Sequence, residues 1–291
     1  MKQVRVGIFG YGEVGHGLAL GLRGAGLEVI SAYQRLPHSP LTLQRAAQSG
    51  VRLVQTPAEL AEAADLVLAV TQGSEVLNAA RAMRDVLRPR HCYVDLASAT
   101  PGAKKEIGAL FAQNGVLVAD GAIEGSPLEH QHRFPVIVSG PGAAAFAEAM
   151  TPWGMRITVV GDELGRAAAI KGLRHILTKG QIALLIECAI AAKRYGIRGE
   201  VLASVAEWYD ALPFMTNASR VLRTTTVHAA RRAEEAAMAQ AILEELGVEP
   251  VMTRSIVKVL EAVARLNLRE QLGAVPPQTF EEALDLMEKG K

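Results

Sequence analysis

Residues 4–24 read VRVGIFGYGEVGHGLALGLRG. A run of β-branched residues leads into Gly10, Gly12, Gly15, Gly17 and Gly21, inside what otherwise has the apolar spacing of a helix. Glycine within a helix costs roughly 0.5–1 kcal/mol against alanine, so the missing side chains need a reason. The spacing Gly10-x-Gly12-x-x-Gly15 at a strand-to-helix turn supplies one. Gly10 permits the tight turn, Gly12 lets a pyrophosphate approach the main chain, and Gly15 lets helix and strand pack closely. The main chain from Tyr11 through Glu13 and Val14 then offers N–H groups and the positive end of a helix dipole to the phosphates. The plainer alternative is that the glycines serve helix–sheet packing alone.

Outward from this stretch the first half of the chain alternates. Strands are expected at 4–9, 28–33, 52–55, 66–70, 92–95, 116–119, 136–140 and 156–160. Helices are expected between them at 13–23, 41–49, 57–63, 75–86 and 101–114. Such alternation implies an α/β fold with a doubly wound parallel sheet of the Rossmann type. After Gly161 only helical patterns follow, at 164–195, 201–212, 218–246, 253–272 and 280–289. The expected division is a dinucleotide-binding domain over 1–162 and an all-α domain over 163–291.

With 291 residues, 49% of them hydrophobic and 21% charged, the chain suits a globular protein with a substantial core. Its 31 Lys+Arg against 30 Asp+Glu, with no basic stripe, argue against a nucleic-acid binder. Apolar stretches are broken by charges or glycine short of about 18 residues, so no membrane span is expected. Two cysteines, Cys92 and Cys188, make no disulfide framework and point to a reducing cytoplasm.

An acid at the end of the second strand would accept hydrogen bonds from a ribose 2′-OH and mark NAD. Here the residues are Tyr33-Gln34-Arg35, and no acid occurs between Glu28 and Glu59. Arg35 can pair with a 2′-phosphate, so NADP is expected, with NAD as the alternative. Ligands on such sheets lie beyond the carboxyl ends of the strands. That places Val70-Thr71, the loop around Ser98, and Glu124-Gly125 at the site. Thr100 and Ser98 are both candidate helix caps, and Ser98 is also a candidate substrate contact. On the long helix, Ala167, Lys171, Arg174/His175 and Thr178 form one polar stripe, opposite an apolar face that includes Leu173, Ile176 and Leu177. In Glu129-His130-Gln131-His132 the histidines would share a strand face, but no further ligand supports a metal, and none is expected.

GIFGYGEVG, DLASATP, DGAIEG and GRAAAIKGLRHIL occur in the order and approximate spacing of the β-hydroxyacid dehydrogenases, the family of 3-hydroxyisobutyrate and 6-phosphogluconate dehydrogenases. The resemblance covers nearly the whole chain. HAARRAEEAAMAQAILEELGVEP and KGQIALLIECAIAAKRYGI look like a less characterised, phosphogluconate-dehydrogenase-type branch. The resemblance implies that Lys171 is the catalytic lysine, a general acid in carbonyl reduction and a general base in alcohol oxidation. A lysine near pKa 10.4 serves neutral chemistry only if its site lowers that value. Where the family usually carries asparagine this chain has His175, a candidate to orient Lys171 or share its proton. Where the family's serine contacts the substrate carboxylate it has Glu124, which repels an acid and suits a hydroxyl or an amine instead.

Arg231 either pairs with Glu235 along its helix or binds an anionic substrate group. The expected function is hydride transfer between NADP and a small hydroxyacid or its carbonyl partner, by a homodimer. Imine reduction on the same fold and a non-catalytic NADP-binding sensor are the alternatives.

Overall fold

The computed structural model describes residues 4–28, 30–125 and 127–289, with the main chain alone at 127 and 128. Val29 in the second expected strand, Ser126 after Gly125, and the terminal residues lie outside the described residues.

The chain forms two compact units, Met1–His175 and Ile176–Lys291. In the first unit the glycine-rich stretch folds as β1 (Val6–Phe9) and α1 (Glu13–Gly24). Next come β2 (Ile30–Tyr33), α2 (Pro40–Ser49), β3 (Arg52–Val54), α3 (Pro57–Ala63) and β4 (Leu66–Ala69). They are followed by α4 (Val76–Arg84), β5 (Cys92–Asp95), α5 (Pro101–Phe111) and β6 (Leu117–Ile123). The unit closes with α6 (Pro127–His130), β7 (Pro135–Ser139), α7 (Ala143–Met150), β8 (Arg156–Val159) and the first turns of α8 (Arg166–Tyr195).

Local chemistry explains the helix starts. Ser39, Thr56 and Thr100 each accept an amide hydrogen bond three residues on, and each is followed by proline in the first turn. Thr100 is therefore the cap, and Ser98 is left exposed in the loop.

The strands form one sheet in the order β3-β2-β1-β4-β5-β6-β7-β8. Its central strands β1, β4 and β5 are apolar and buried on both faces, as helix-covered parallel strands must be. One core lies on the α1/α7 face around Leu18, Leu22, Phe134 and Phe146. The other lies on the α3/α4/α5 face around Leu60, Met83, Ile107 and Phe111.

The sheet is parallel, as expected, at every pair but one. β7 runs antiparallel to β6, because the connection between them is too short for a parallel crossover. The expected histidine strand is also absent: His130 ends α6, and His132 lies in a 3-10 turn, Gln131–Arg133. His132 is buried against α1, where a Cβ on Gly21 would lie 2.2 Å from its Nδ1. Gly21 is thus a packing glycine. Leu164 in turn fills the space above Gly108 and Gly140, where a Cβ would come within 2.2 Å and 2.5 Å of it.

By compactness the chain divides inside α8, after His175. Side chains of β6 and β7 bind the start of that helix, which holds its first turns to the sheet.

The second unit contains the rest of α8, then α9 (Arg198–Asp210), α10 (Phe214–Glu245), α11 (Val251–Ala264), α12 (Leu268–Gln271) and α13 (Phe280–Lys289). Its small core is Ala191, Leu243 and Val248. Glu187 of α8 closes the N-terminus of α11, accepting hydrogen bonds from the amides of Met252 and Thr253, each at 2.9 Å.

The apolar face expected on α8 is largely exposed in the single chain: Leu173 is 67% and Ile176 73% accessible. By length and composition alone α8 is long and apolar enough to cross a membrane. Lys171, Arg174, Lys179 and Glu187 all interrupt it.

Candidate active site

The sheet order reverses between β1 and β4, and the loops after both strands open on one cleft of about 470 Å³. Gly10, Gly12, Gln34, Arg35, Val70 and Thr71 line it. Gly10 sits at φ +98°, donates its N–H to Tyr33 O at 3.0 Å, and passes so close to β4 that a Cβ would be 3.0 Å from Val70 O. A Cβ on Gly15 would lie 2.3 Å from Gly10 O, so only glycine allows this turn. Nothing stands within 4 Å of a Cβ position on Gly12, which leaves bare main chain facing open space at the start of α1.

That cradle fits a dinucleotide pyrophosphate. Thr71 Oγ1, buried and without a hydrogen-bond partner among the described residues, adds a polar group at the same place.

Tyr11 turns away from the cleft. Its ring is fully buried, and its hydroxyl pairs with Ser49 Oγ at 2.5 Å. Its main-chain N–H donates to Gln34 Oε1 at 2.8 Å. This bond occupies the carbonyl end of Gln34 and leaves its NH2 as the free end, which can only donate. Arg35 is exposed beside it. Glu13 is exposed in the first turn of α1.

A neighbouring cavity of about 320 Å³ joins this loop to the strand ends further along the sheet. Val14, Thr71, Ser98, Gly125 and Lys171 line it together. Gly73 allows the two loops to meet, since a Cβ there would be 2.3 Å from Ser98 O. Lys171 also borders a larger cleft of about 590 Å³, with Ser98, Thr100, Gly121 and His175. The polar stripe of α8 thus faces a cleft, while Ala167 and Ala168 above it are buried.

Burial, and then the like charge of Lys104, hold the Lys171 ammonium below its ordinary value. A half-buried amine so placed holds its proton less firmly than a solvated lysine.

Beneath the pocket lies a charge cluster. Lys104 is 1% exposed and donates to Asp95 O at 2.9 Å, Asp95 Oδ1 at 3.1 Å and Ala97 O at 2.8 Å, with Asp120 Oδ1 at 3.2 Å. Burial raises the Asp95 carboxyl despite that lysine. Asp120 Oδ2 accepts the N–H of Ala168 at 2.9 Å, and Ser139 Oγ accepts that of Ala167 at 3.0 Å. The first turn of α8, whose amides have no partner inside the helix, is therefore fixed by strand side chains.

Glu124 forms an ion pair with Arg174 of α8, and its other carboxylate oxygen is buried without a partner among the described residues. Gly125 beside it has φ +99°.

The geometry brings together the expected Gly10, Gly12, Val14, Val70, Thr71, Ser98, Gly125, Lys171 and His175, with Gln34 and Arg35 at the far end of the cleft. Arg231 is an exposed residue of the second unit, bonded to Glu235 at 2.5 Å, as its plainer reading has it. Lys104 and Arg174 were not singled out from sequence as site residues. Lys104 had a visible signal, since it shares a buried helical stripe with Ile107 and Phe111. Arg174 stood in the polar stripe, but nothing local named Glu124 as its partner.

Residues 5–161 match the NAD binding domain of 6-phosphogluconate dehydrogenase, and residues 192–263 match a domain of unknown function, DUF1932. A solved conserved protein, described as structurally similar to 3-hydroxyacid dehydrogenases, is 32% identical, with 92% of this chain and 99% of that one covered and a TM-score of 0.62. The L-threonate dehydrogenase of Cupriavidus necator is 27% identical over 207 residues, 69% of this chain and 68% of that protein. The imine reductase of Aspergillus terreus, solved with NADPH4 and dibenz[c,e]azepine, shares the fold at 16% identity, with a TM-score of 0.74 over 91% of this chain and 95% of that one. A glycine cradle, a matching domain over more than half the chain and relatives of this kind lead to one conclusion: the chain belongs to the NAD(P)-binding dehydrogenase and reductase family of the 6-phosphogluconate and 3-hydroxyacid dehydrogenase type, with a DUF1932 domain following.

Proposed function

We propose that the protein is an NADP-dependent oxidoreductase in which Lys171 moves the proton that accompanies hydride transfer to or from a small hydroxyacid or carbonyl substrate. The observation that carries this reading is one cavity shared by Val14 and Thr71 of the cofactor loops, Ser98, and the amine of Lys171. The nicotinamide, when bound, accepts or donates the hydride. The chain's own residues do the rest: Gly10, Gly12 and Gly15 seat the pyrophosphate, with the main chain of Glu13 and Val14 at the helix start, while the Tyr11 N–H donates to Gln34. Gln34 and Arg35 bind the 2′-phosphate. Ser98 and Gly125 orient the substrate, and His175 orients Lys171.

Glu124 favours a second reading. A carboxylate held by Arg174 suits a substrate with an amine or imine nitrogen better than one with a carboxylate at that point.

Two copies pair through the exposed apolar face of α8, where Leu173, Ile176 and Leu177 are all exposed. The setting is the reducing cytoplasm, consistent with the two free cysteines.

The test is NADPH consumption with keto acids against cyclic imines, by the parent protein and Lys171→Met. The expected result is turnover lost by about 10²–10⁴ in the variant with NADPH affinity unchanged. Equal turnover would reject the role of Lys171. Tight NADPH binding without turnover on any compound would favour the sensor.

A further inference from the structure

The proton-transfer reading leaves one buried charge unused. Lys104 lies on the face of α5 that packs against the sheet, where Ile107 and Phe111 fill the neighbouring positions. An apolar residue would serve packing there, because an ammonium is expensive to take out of water. Instead its three donors meet a set of acceptors from two walls of the pocket. Asp95 O and Ala97 O belong to the turn that carries Ser98. Asp120 belongs to β6, and its second oxygen holds the amide of Ala168. Lys171 lies one helical turn beyond.

We propose that Lys104 is a positioning residue for this pocket: its ammonium ties the turn from Asp95 to Ser98 to Asp120, which anchors the start of the helix bearing Lys171. The inference deepens the reading of Lys171 as the proton-transfer group and rests on it. Lys104 touches neither wall's reactive groups, so it acts through the residues that do.

The arrangement also sets the charge that Lys171 meets. Lys104 on α5 is the charged side chain whose like charge reaches Lys171, and His175 on α8 lines the same cleft. Without Lys104, Lys171 loses the like charge that opposes its protonation, which favours its ammonium form.

The test uses Lys104→Met in the full chain with NADP+ bound. Lysines are reductively methylated with 13C, and the Lys171 signal, assigned by its loss in Lys171→Arg, is titrated by NMR. NADPH consumption is measured alongside with the keto acid and imine panel. The expected result is a folded variant with NADP+ affinity within about threefold of the parent, turnover at least about tenfold lower, and a Lys171 titration moved up by about one unit or more. Should Lys104→Met not fold, Lys104→Gln keeps an N–H donor for Ala97 O and is read in the same way.

A folded variant with the parent's Lys171 titration and turnover would overturn the proposal. The titration needs no substrate. If Lys171→Met proved fully active, the catalytic reading would fall while the titration still reported on Lys104.

Discussion

Arg174 holds Glu124 in an ion pair while the second oxygen of that carboxylate stays buried and unpartnered. Under the proposed function, this carboxylate would discriminate among substrates by charge. Glu124→Gln should lower KM for carboxylate-bearing substrates by about tenfold relative to imines, an effect of about 1.4 kcal/mol, modest because Arg174 already offsets most of the repulsion. Steady-state KM values for a keto acid and a cyclic imine check this; an unchanged ratio would show that Glu124 does not face the substrate.

The depressed Lys171 amine gives the pH dependence a definite sign. Alcohol oxidation needs the neutral amine, so its kcat/KM should rise with pH through a value below the ordinary 10.5 of lysine. Carbonyl reduction needs the ammonium and should fall over the same range. Lys171→Met should flatten both limbs, which pH–rate profiles of parent and variant would show.

Three glycines of one stretch should fail in different ways. Gly12→Ala meets nothing in the chain itself, so it should fold with unchanged Tm yet lose NADPH affinity. Gly15→Ala would strike Gly10 O, and Gly21→Ala would strike His132, each costing about 1–3 kcal/mol of stability. Thermal melts paired with calorimetric binding separate the cases, and a Gly12→Ala protein that bound NADPH normally would refute the cradle.

Arg35→Ala should weaken NADPH by roughly 10–100-fold, the worth of a hydrogen bond to a charged group, and NADH little. Equal losses for the two cofactors would mean that Arg35 does not meet the 2′-phosphate.

Glu187 should be a pH-dependent stabiliser of the helical unit. Burial pushes its carboxyl up, but hydrogen bonds from Thr253 and from the amides of Met252, Thr253 and Val251 outweigh this and leave it lowered. Its contribution is therefore present above the unfolded value of about 4.5 and lost as pH falls through the lower folded one. Glu187→Gln should destabilise by about 1–3 kcal/mol at pH 7 and less near pH 3, as urea melts at both would show.

The strand–helix alternation and the roles of Gly10, Gly12 and Gly15 were legible because they are local: apolar runs, capping residues and glycine spacing act within a few positions. Lys171 was legible only with the family resemblance, since a lone lysine in a polar stripe is ordinarily solvated. What escaped the sequence was nonlocal. Gly21 answers to His132, far along the chain, and the Glu124–Arg174 pair joins a strand end to a helix. The antiparallel β7 follows from a short connection that had read as a strand with His130 and His132 on one face. The exposed apolar face of α8 showed in the periodicity, but its placement depends on what the helix packs against.

Leu164, seated over Gly108 and Gly140, gives the enzyme a distant point of failure. Neither glycine lines the pocket of Lys171, yet any larger residue at either would unseat this peg just ahead of the helix that bears Lys171. Random mutagenesis should therefore recover inactive clones at both positions that still bind nucleotide, mapping a mechanical dependence that a search confined to pocket-lining residues would overlook.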